Sequence, residues 1–299
     1  MRKKIIFIPG KNPKPEPSEH IKLLRRCLIE GVSRYDKNAA SEILEQQAFE
    51  LCAWNFDFYQ EHLDITPLLS SIDDVCRKTR ASAKDKIFAK TWKIAISRLI
   101  YQTGDQFPWL IDALADEHVK AMMHDTDRYF DNTQGIADQV RHTLMDKMLN
   151  CTKDCKVLLI GHSMGSIIAY DTLIQLQQSE QAAAEKAVDL FLSLGSPLGL
   201  KYTQQRLLSY SDKDETKLPS NIRCWHNVAA RGDLVSVDTS LADDFALMKK
   251  SGQIENIVDH NKGVFNWFRY PHGYNFHSSY GYLVGAVTPK LIADWWVNT

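Results

Sequence analysis

One short run of this chain has the residue types for nucleophilic chemistry. Gly161-His162-Ser163-Met164-Gly165 follows the apolar stretch Lys156–Ile160 and precedes Ser166-Ile167-Ile168-Ala169-Tyr170, where a helical pattern begins. The bare G-x-S-x-G pattern arises by chance in roughly one chain in ten of this length, so the strand–turn–helix context carries the weight. In such a turn the chain changes direction so sharply that side chains two residues either side of the serine would clash, and glycine removes them. The Ser163 hydroxyl is then exposed at a helix N-terminus, at the carboxyl edge of a sheet. A hydroxyl is a weak nucleophile until a base takes its proton, and a carboxylate orients that base. The expected chemistry is acyl transfer through a covalent intermediate. The competing reading is an ordinary glycine-rich turn after a strand.

In this context the run resembles the nucleophile elbow of the α/β-hydrolase superfamily, in its serine esterase and lipase style. The resemblance spans nearly the whole chain as an order of elements, although only a few short motifs carry it. It implies the chain order serine, then acid, then histidine. Downstream, Asn227-Val228-Ala229-Ala230-Arg231-Gly232-Asp233-Leu234-Val235-Ser236 places Asp233 in a loop just past a strand, like the acid turn of lipase-like members. Asp238, Asp243 and Asp244 compete, but Asp238 lies further from the strand end. Asp243-Asp244 reads as a helix start, where acids favour the dipole. For the base, the fold implies a loop between the last strand and the C-terminal helix. His277 fits best, because Ser278 could cap the segment that follows. His260 lies nearly in a strand and His272 lies mid-loop beside Pro271 and Gly273; both stay open as alternatives. His162, inside the elbow, is expected to point away from the serine as a structural residue, and His226 to be a satisfied core residue.

Acyl transfer also needs donors for the developing oxyanion. The resemblance implies the main-chain N–H of Met164 as one. The second comes from the loop after the first central strand, Ile8-Pro9-Gly10-Lys11-Asn12, which makes Gly10 and Lys11 the candidates. Many members carry His where Pro9 stands, a departure that leaves main-chain donation intact. With this strand first, the resemblance implies that the two leading strands of larger members are missing. Leu194-Gly195-Ser196-Pro197-Leu198-Gly199 resembles the turn after the fourth strand in lipase-like members and is read as wall of the site, or equally as a turn made of turn formers.

These residues need a scaffold. Strand candidates are Lys4–Ile8, Ala48–Trp54, Lys156–Ile160, Asp189–Leu194, Ile222–Val228 and Gln253–Val258, several of them apolar enough to be covered on both faces. Between them lie amphipathic stretches: Ser18–Glu30, with Gly31 as a stop, and Thr133–Leu149. Tyr280–Trp296 reads as a covering segment in which Pro289 makes a kink or starts a second piece. The expectation is a doubly wound, mostly parallel six-stranded α/β sheet of order 2-1-3-4-5-6, with the serine at the switch point by strands 1 and 3. A single domain, 1–299, carries residues 61–125 as a helical cap insertion, read as helices Ile72–Thr79, Lys86–Ile100 and Trp109–Met123. Trp92, Tyr101, Phe107 and Trp109 of the insertion, with Phe265, Trp267, Phe268, Tyr270 and Phe276 before the base, read first as packing and second as substrate wall.

Composition bounds the rest. The chain has 299 residues, 44% apolar and 24% charged, with net charge −1, which fits a globular protein and lacks the basic footprint of nucleic-acid binding. The apolar start Ile5–Ile8 ends at Pro9-Gly10, too short for a signal peptide core, and no run is long enough for a spanning helix. Six scattered cysteines show no disulfide-scaffold or zinc spacing, and reduced thiols in a cytoplasmic protein are expected. The resemblance implies no metal or organic cofactor. The function expected is hydrolysis of a carboxylic ester, small or lipid-like, through an acyl-enzyme on Ser163. The rivals are a thioesterase or acyltransferase with the same residues, and a non-catalytic binding module of the same fold.

Overall fold

Alternate side chains of a strand point to opposite faces, so an apolar run without alternation needs cover on both sides. The computed structural model describes residues 2–91, 125–151, 154–178, 188–210, 218–236, 238–270 and 273–299. In it the apolar runs form β1 (Lys3–Ile8), β2 (Phe49–Leu51), β3 (Lys156–His162), β4 (Val188–Leu194), β5 (Ile222–Val228) and β6 (Asn256–His260). All neighbours pair in parallel, in the order β2-β1-β3-β4-β5-β6, as the alternation of strands and helices implied.

The two faces separate by residue parity. Ile6 and Ile8 of β1 and Val157 and Leu159 of β3 join one core, with α6 (Ile136–Leu149) and α7 (Met164–Gln178). Ile5, Phe7, Leu158 and Ile160 join the other, under α1 (Pro17–Ser33), α2 (Lys37–Glu45), α4 (Leu69–Arg77), α8 (Ser279–Val284) and α9 (Thr288–Asn298). Two shorter helices, α3 (Asn55–Tyr59) and α5 (Ala83–Phe88), precede α6 in the chain. Among the described residues no helix is long and apolar enough to cross a membrane.

Several boundaries differ from the sequence pattern for identifiable reasons. The second strand stops at Leu51 because the Trp54 indole turns away to donate to Pro9 O at 2.9 Å and Asn55 opens α3. The sixth starts at Asn256 because Gln253 N donates back to Met248 O, completing the preceding helical turn. Pro289 starts a second piece, α9, instead of kinking one helix. In the expected cap, Ile72–Thr79 becomes α4, which adds Ile72, Val75 and Cys76 to the core, and α5 starts at Ala83 under a Ser82–Asp85 capping box. Residues 92–124, with Trp92, Tyr101, Phe107, Trp109 and the helix expected at Trp109–Met123, lie outside the described residues.

Gly31 does not stop α1; it lies within it. A Cβ there would sit 2.4 Å from Leu283 O and 2.6 Å from Pro289 Cγ, so the glycine lets α1 press directly on α8 and α9. Replacing an interior helical glycine by alanine gains up to about 1 kcal/mol of helix propensity. Pushing a helix off a backbone oxygen costs about 1–3 kcal/mol. Gly31→Ala should therefore lower the stability measured by urea unfolding, and an unchanged midpoint would mean that α1 shifts at no cost.

Candidate active site

The path from β3 into α7 is as tight as the glycine pattern demanded. Ser163 has φ +54°, a left-handed conformation that costs a non-glycine residue about 1–3 kcal/mol. Its N–H donates to Leu194 O at 2.9 Å, and its carbonyl accepts from Ser166 Oγ at 2.6 Å, so both sides of the turn are tied down. A Cβ on Gly161 would come 2.6 Å from Ser166 Cα, and one on Gly165 would come 2.3 Å from Ile8 O. Gly10 approaches from the end of β1, where a Cβ would lie 2.8 Å from Ser163 Cβ. Met164 opens α7, and Lys11 lines the same cleft as Ser163.

Asp233 and His277 meet beside this turn. His277 Nδ1 lies 2.8 Å from Asp233 Oδ2. A carboxylate only accepts, so Nδ1 carries the proton and Nε2 is the ring's basic nitrogen. The Asp233 side chain is 0% exposed and that of His277 25%, which keeps the acid dry and the imidazole accessible. Asp233 also receives the Tyr282 hydroxyl on Oδ2 at 2.6 Å and Val235 N on Oδ1 at 2.9 Å. Burial pushes this carboxyl's pKa up, but His277, Tyr282 and the Val235 amide together outweigh it and hold it below the ordinary value. Gly195, φ +54°, passes underneath; a Cβ would come 2.7 Å from Asp233 Oδ2 and 2.9 Å from His277 Nδ1. The turn read as wall of the site thus has a steric reason for its glycine.

Ser163, His162, Asp233 and His277 share one cleft of about 530 Å³, together with Gly10 and Lys11. Phe268, Tyr270 and Phe276 also line it, whereas Trp267 lines a separate hollow of about 620 Å³ beside α4 and Phe265 a small cavity near α8. His260 is not brought to this cleft: its Nε2 lies 3.0 Å from His226 Nδ1, so the two half-buried rings pair across β5 and β6. His272 lies outside the described residues. Asp238 accepts from Ser240 N in its own turn. Asp243 and Asp244 end a short helix, Leu241–Asp244, and burial, followed by Asp238, pushes Asp244 up to about 6. None of these three acids lines the cleft.

The His162 ring does not turn away from the site. It lies tilted against the His277 ring, 4.7 Å between centroids, and Nε2 lies 2.7 Å from His277 O, a contact that requires the proton on Nε2. Burial, and next the His277 charge, push His162 well below the ordinary value, so it acts as a neutral donor. Residue parity carried this signal: His162 follows Leu158 and Ile160 on the strand face toward α8. Tyr282 had no such signal, being one aromatic in an apolar terminal stretch. Asn55 was equally silent; its Nδ2 donates to Gly10 O at 2.8 Å and Asn12 O at 3.0 Å, fixing the loop after β1.

Comparison with known proteins adds a family likeness over part of the chain. Residues 119–251 match the lecithin:cholesterol acyltransferase family, a stretch that holds Ser163 and Asp233 and ends before His277. Over 95 residues the chain is 30% identical to phosphatidylcholine-sterol acyltransferase of Gallus gallus, covering 32% of this chain and 20% of that protein. A crystal structure of an uncharacterized protein from Pseudomonas aeruginosa overlaps 77% of this chain and 36% of its own, at 6% identity and a TM-score of 0.24, too low to carry weight.

The Tyr282 hydroxyl also accepts from Ala230 N at 2.9 Å, so Tyr282→Phe strands that buried amide and removes one donor from Asp233. Leaving such a group unpaired costs about 1–3 kcal/mol, which chemical denaturation at neutral pH should register. Because Asp233 is depressed in the folded state, its contribution is present above about pH 4, where the unfolded side chain ionises. It is lost as pH falls through the lower folded value, so the variant's deficit should shrink in acid. A deficit independent of pH would detach Tyr282 from the carboxylate.

Proposed function

We propose that the chain is a serine-dependent acyl-transfer enzyme acting on carboxylic esters, with Ser163 as nucleophile, His277 as base and Asp233 as the acid that orients it. The observation that carries this reading is the dry Asp233–His277 pair, 2.8 Å long, in the same cleft as a serine held at φ +54°. The lecithin:cholesterol acyltransferase likeness over residues 119–251 supports ester-handling, lipase-like chemistry and a lipid-like substrate.

In this scheme Ser163 Oγ attacks the ester carbonyl carbon while His277 Nε2 takes its proton. The carbonyl π electrons move onto oxygen, and the oxyanion is received by the N–H of Met164 and that of Gly10 or Lys11. Collapse breaks the C–O bond, and the alcohol leaves with the proton from His277. Water then attacks the acyl-enzyme by the same route and releases the acid. His162 acts through His277, by fixing its carbonyl.

A second reading differs only in the last step, with an alcohol in place of water as acceptor. The likeness to phosphatidylcholine-sterol acyltransferase favours it, and a product assay with competing alcohols separates the two.

A fluorophosphonate probe tests the nucleophile directly. It should label the wild-type chain at Ser163 and fail on Ser163→Ala of unchanged circular dichroism. His277→Ala should lower ester turnover by about 10²–10⁴ and His260→Ala should leave it within about threefold, the range expected for losing or keeping a general base. A folded wild type that resists the probe would return the chain to the reading of a non-catalytic module.

A further inference from the structure

The loop after β1 brings more than backbone amides to the cleft. Lys11 and Lys14 both line it beside Ser163. Their loop is pinned on both sides: Asn55 holds Gly10 O and Asn12 O, Trp54 holds Pro9 O, and Leu63 N donates to Lys14 O at 2.9 Å. Pro9, Pro13 and Pro15 restrict its backbone further. Lys14 Nζ donates to Lys11 O at 2.5 Å, which keeps this ammonium against the residue next to Gly10.

Among the described residues only Asp125 offsets any of this charge, and it acts on Lys11 alone. Neither lysine is in an ion pair there; Asp125 acts on Lys11 only at longer range, and Glu16 is engaged with His62 at 3.1 Å. Burial pulls Lys11 down to about 8 against Asp125, and burial with the Lys11 charge pulls Lys14 down to about 8. Burial, then the Lys14 charge, also drives the cleft-lining His20 down to about 3. Two like charges held close together in a half-buried cleft cost folding free energy, and an anion between them offsets that cost. Ile65, Leu68, Phe268 and Phe276 give the same cleft an apolar wall.

We propose that Lys11 and Lys14 form an oxyanion-group subsite, so that the ester taken by this cleft carries a net negative charge, phosphate or carboxylate, a few atoms from its carbonyl. The acyl group lies on the apolar wall. The word ester rests on the acyl-transfer reading above; the binding of an anionic amphiphile beside Ser163 does not.

The test uses the full chain as Ser163→Ala, so that ligands persist. Calorimetry compares short-chain hexanoyl esters of glycerol, glycerol phosphate, glycerophosphocholine and glycolate, with inorganic phosphate alone as a further arm. The phosphate or the glycolate ester should bind at least about tenfold tighter than the neutral and zwitterionic ones, a difference of about 1.4 kcal/mol. Whichever leads identifies phosphate or carboxylate. The preference should narrow from about 50 mM to about 300 mM salt, as screening requires. Adding Lys14→Gln should remove most of it, Lys14→Arg should keep it, and the exposed Lys84→Gln should leave it unaltered. Equal affinities, or a preference that survives Lys14→Gln in a protein of unchanged circular dichroism, would overturn the subsite. Failure of the wild type to cleave any of these esters would overturn the acyl-transfer reading and leave the measured binding preference standing.

Discussion

The Asp233 carboxylate has left water completely, and the C-terminal part of the fold is organised around that cost. Burying one carboxylate costs several kcal/mol even after relaxation. Hydrogen bonds to a charged group return about 1.5–3 kcal/mol each, so one partner is not enough. Three short donors come from three different places: Val235 N in its own turn, His277 from the loop after the β7–β8 hairpin (Arg269–Tyr270 and Gly273–Tyr274), and Tyr282 from α8. None of them lies within the strand that delivers the acid. The position of α8 over the sheet is therefore coupled to the position of the imidazole, and Gly31 is where α1 yields space for that helix.

A steric constraint works alongside the electrostatic one. The ends of β1, β3 and β4 converge within a side chain's width of Ser163, at Gly10, at Gly161 and Gly165, and at Gly195. A Cβ would enter backbone at Gly161 and Gly165, the Ser163 side chain at Gly10 and the Asp233–His277 pair at Gly195. The strained serine is held by bonds to Leu194 O and Ser166 Oγ, and Ser166 Oγ is itself 2.7 Å from Ser196 Oγ. The turn after β4 thus supports the elbow from below while making room for the acid and histidine.

What was legible in the sequence follows from range. Strand order, the elbow and the loop after β1 depend on local patterns: unbroken apolar runs such as Val157–Ile160, and glycines at fixed offsets from Ser163. His277 and Asp233 were legible as positions in loops of an assumed fold. Interactions across many residues were not: Tyr282 with Asp233, Asn55 with Gly10, and Gly31 with Leu283 each join segments whose local sequence fits several roles. His162 falls between these cases. Its strand parity pointed toward α8, but the proximity of His277 on that face required the packed layers.

The shortness of β2 draws these threads together. An edge strand of three residues contributes little to the sheet, and its chain leaves early to place Trp54 and Asn55 against the loop that follows β1. That loop has two conflicting duties. The proposed acyl transfer needs a main-chain amide of this loop held beside Ser163, and the same loop carries two ammonium groups that repel each other in a half-dry cleft. Repulsion of that kind would open a mobile loop. The prolines, the two Asn55 bonds and the Trp54 bond resist it, so the positive charge is kept beside the serine and stays available to whatever negative group enters.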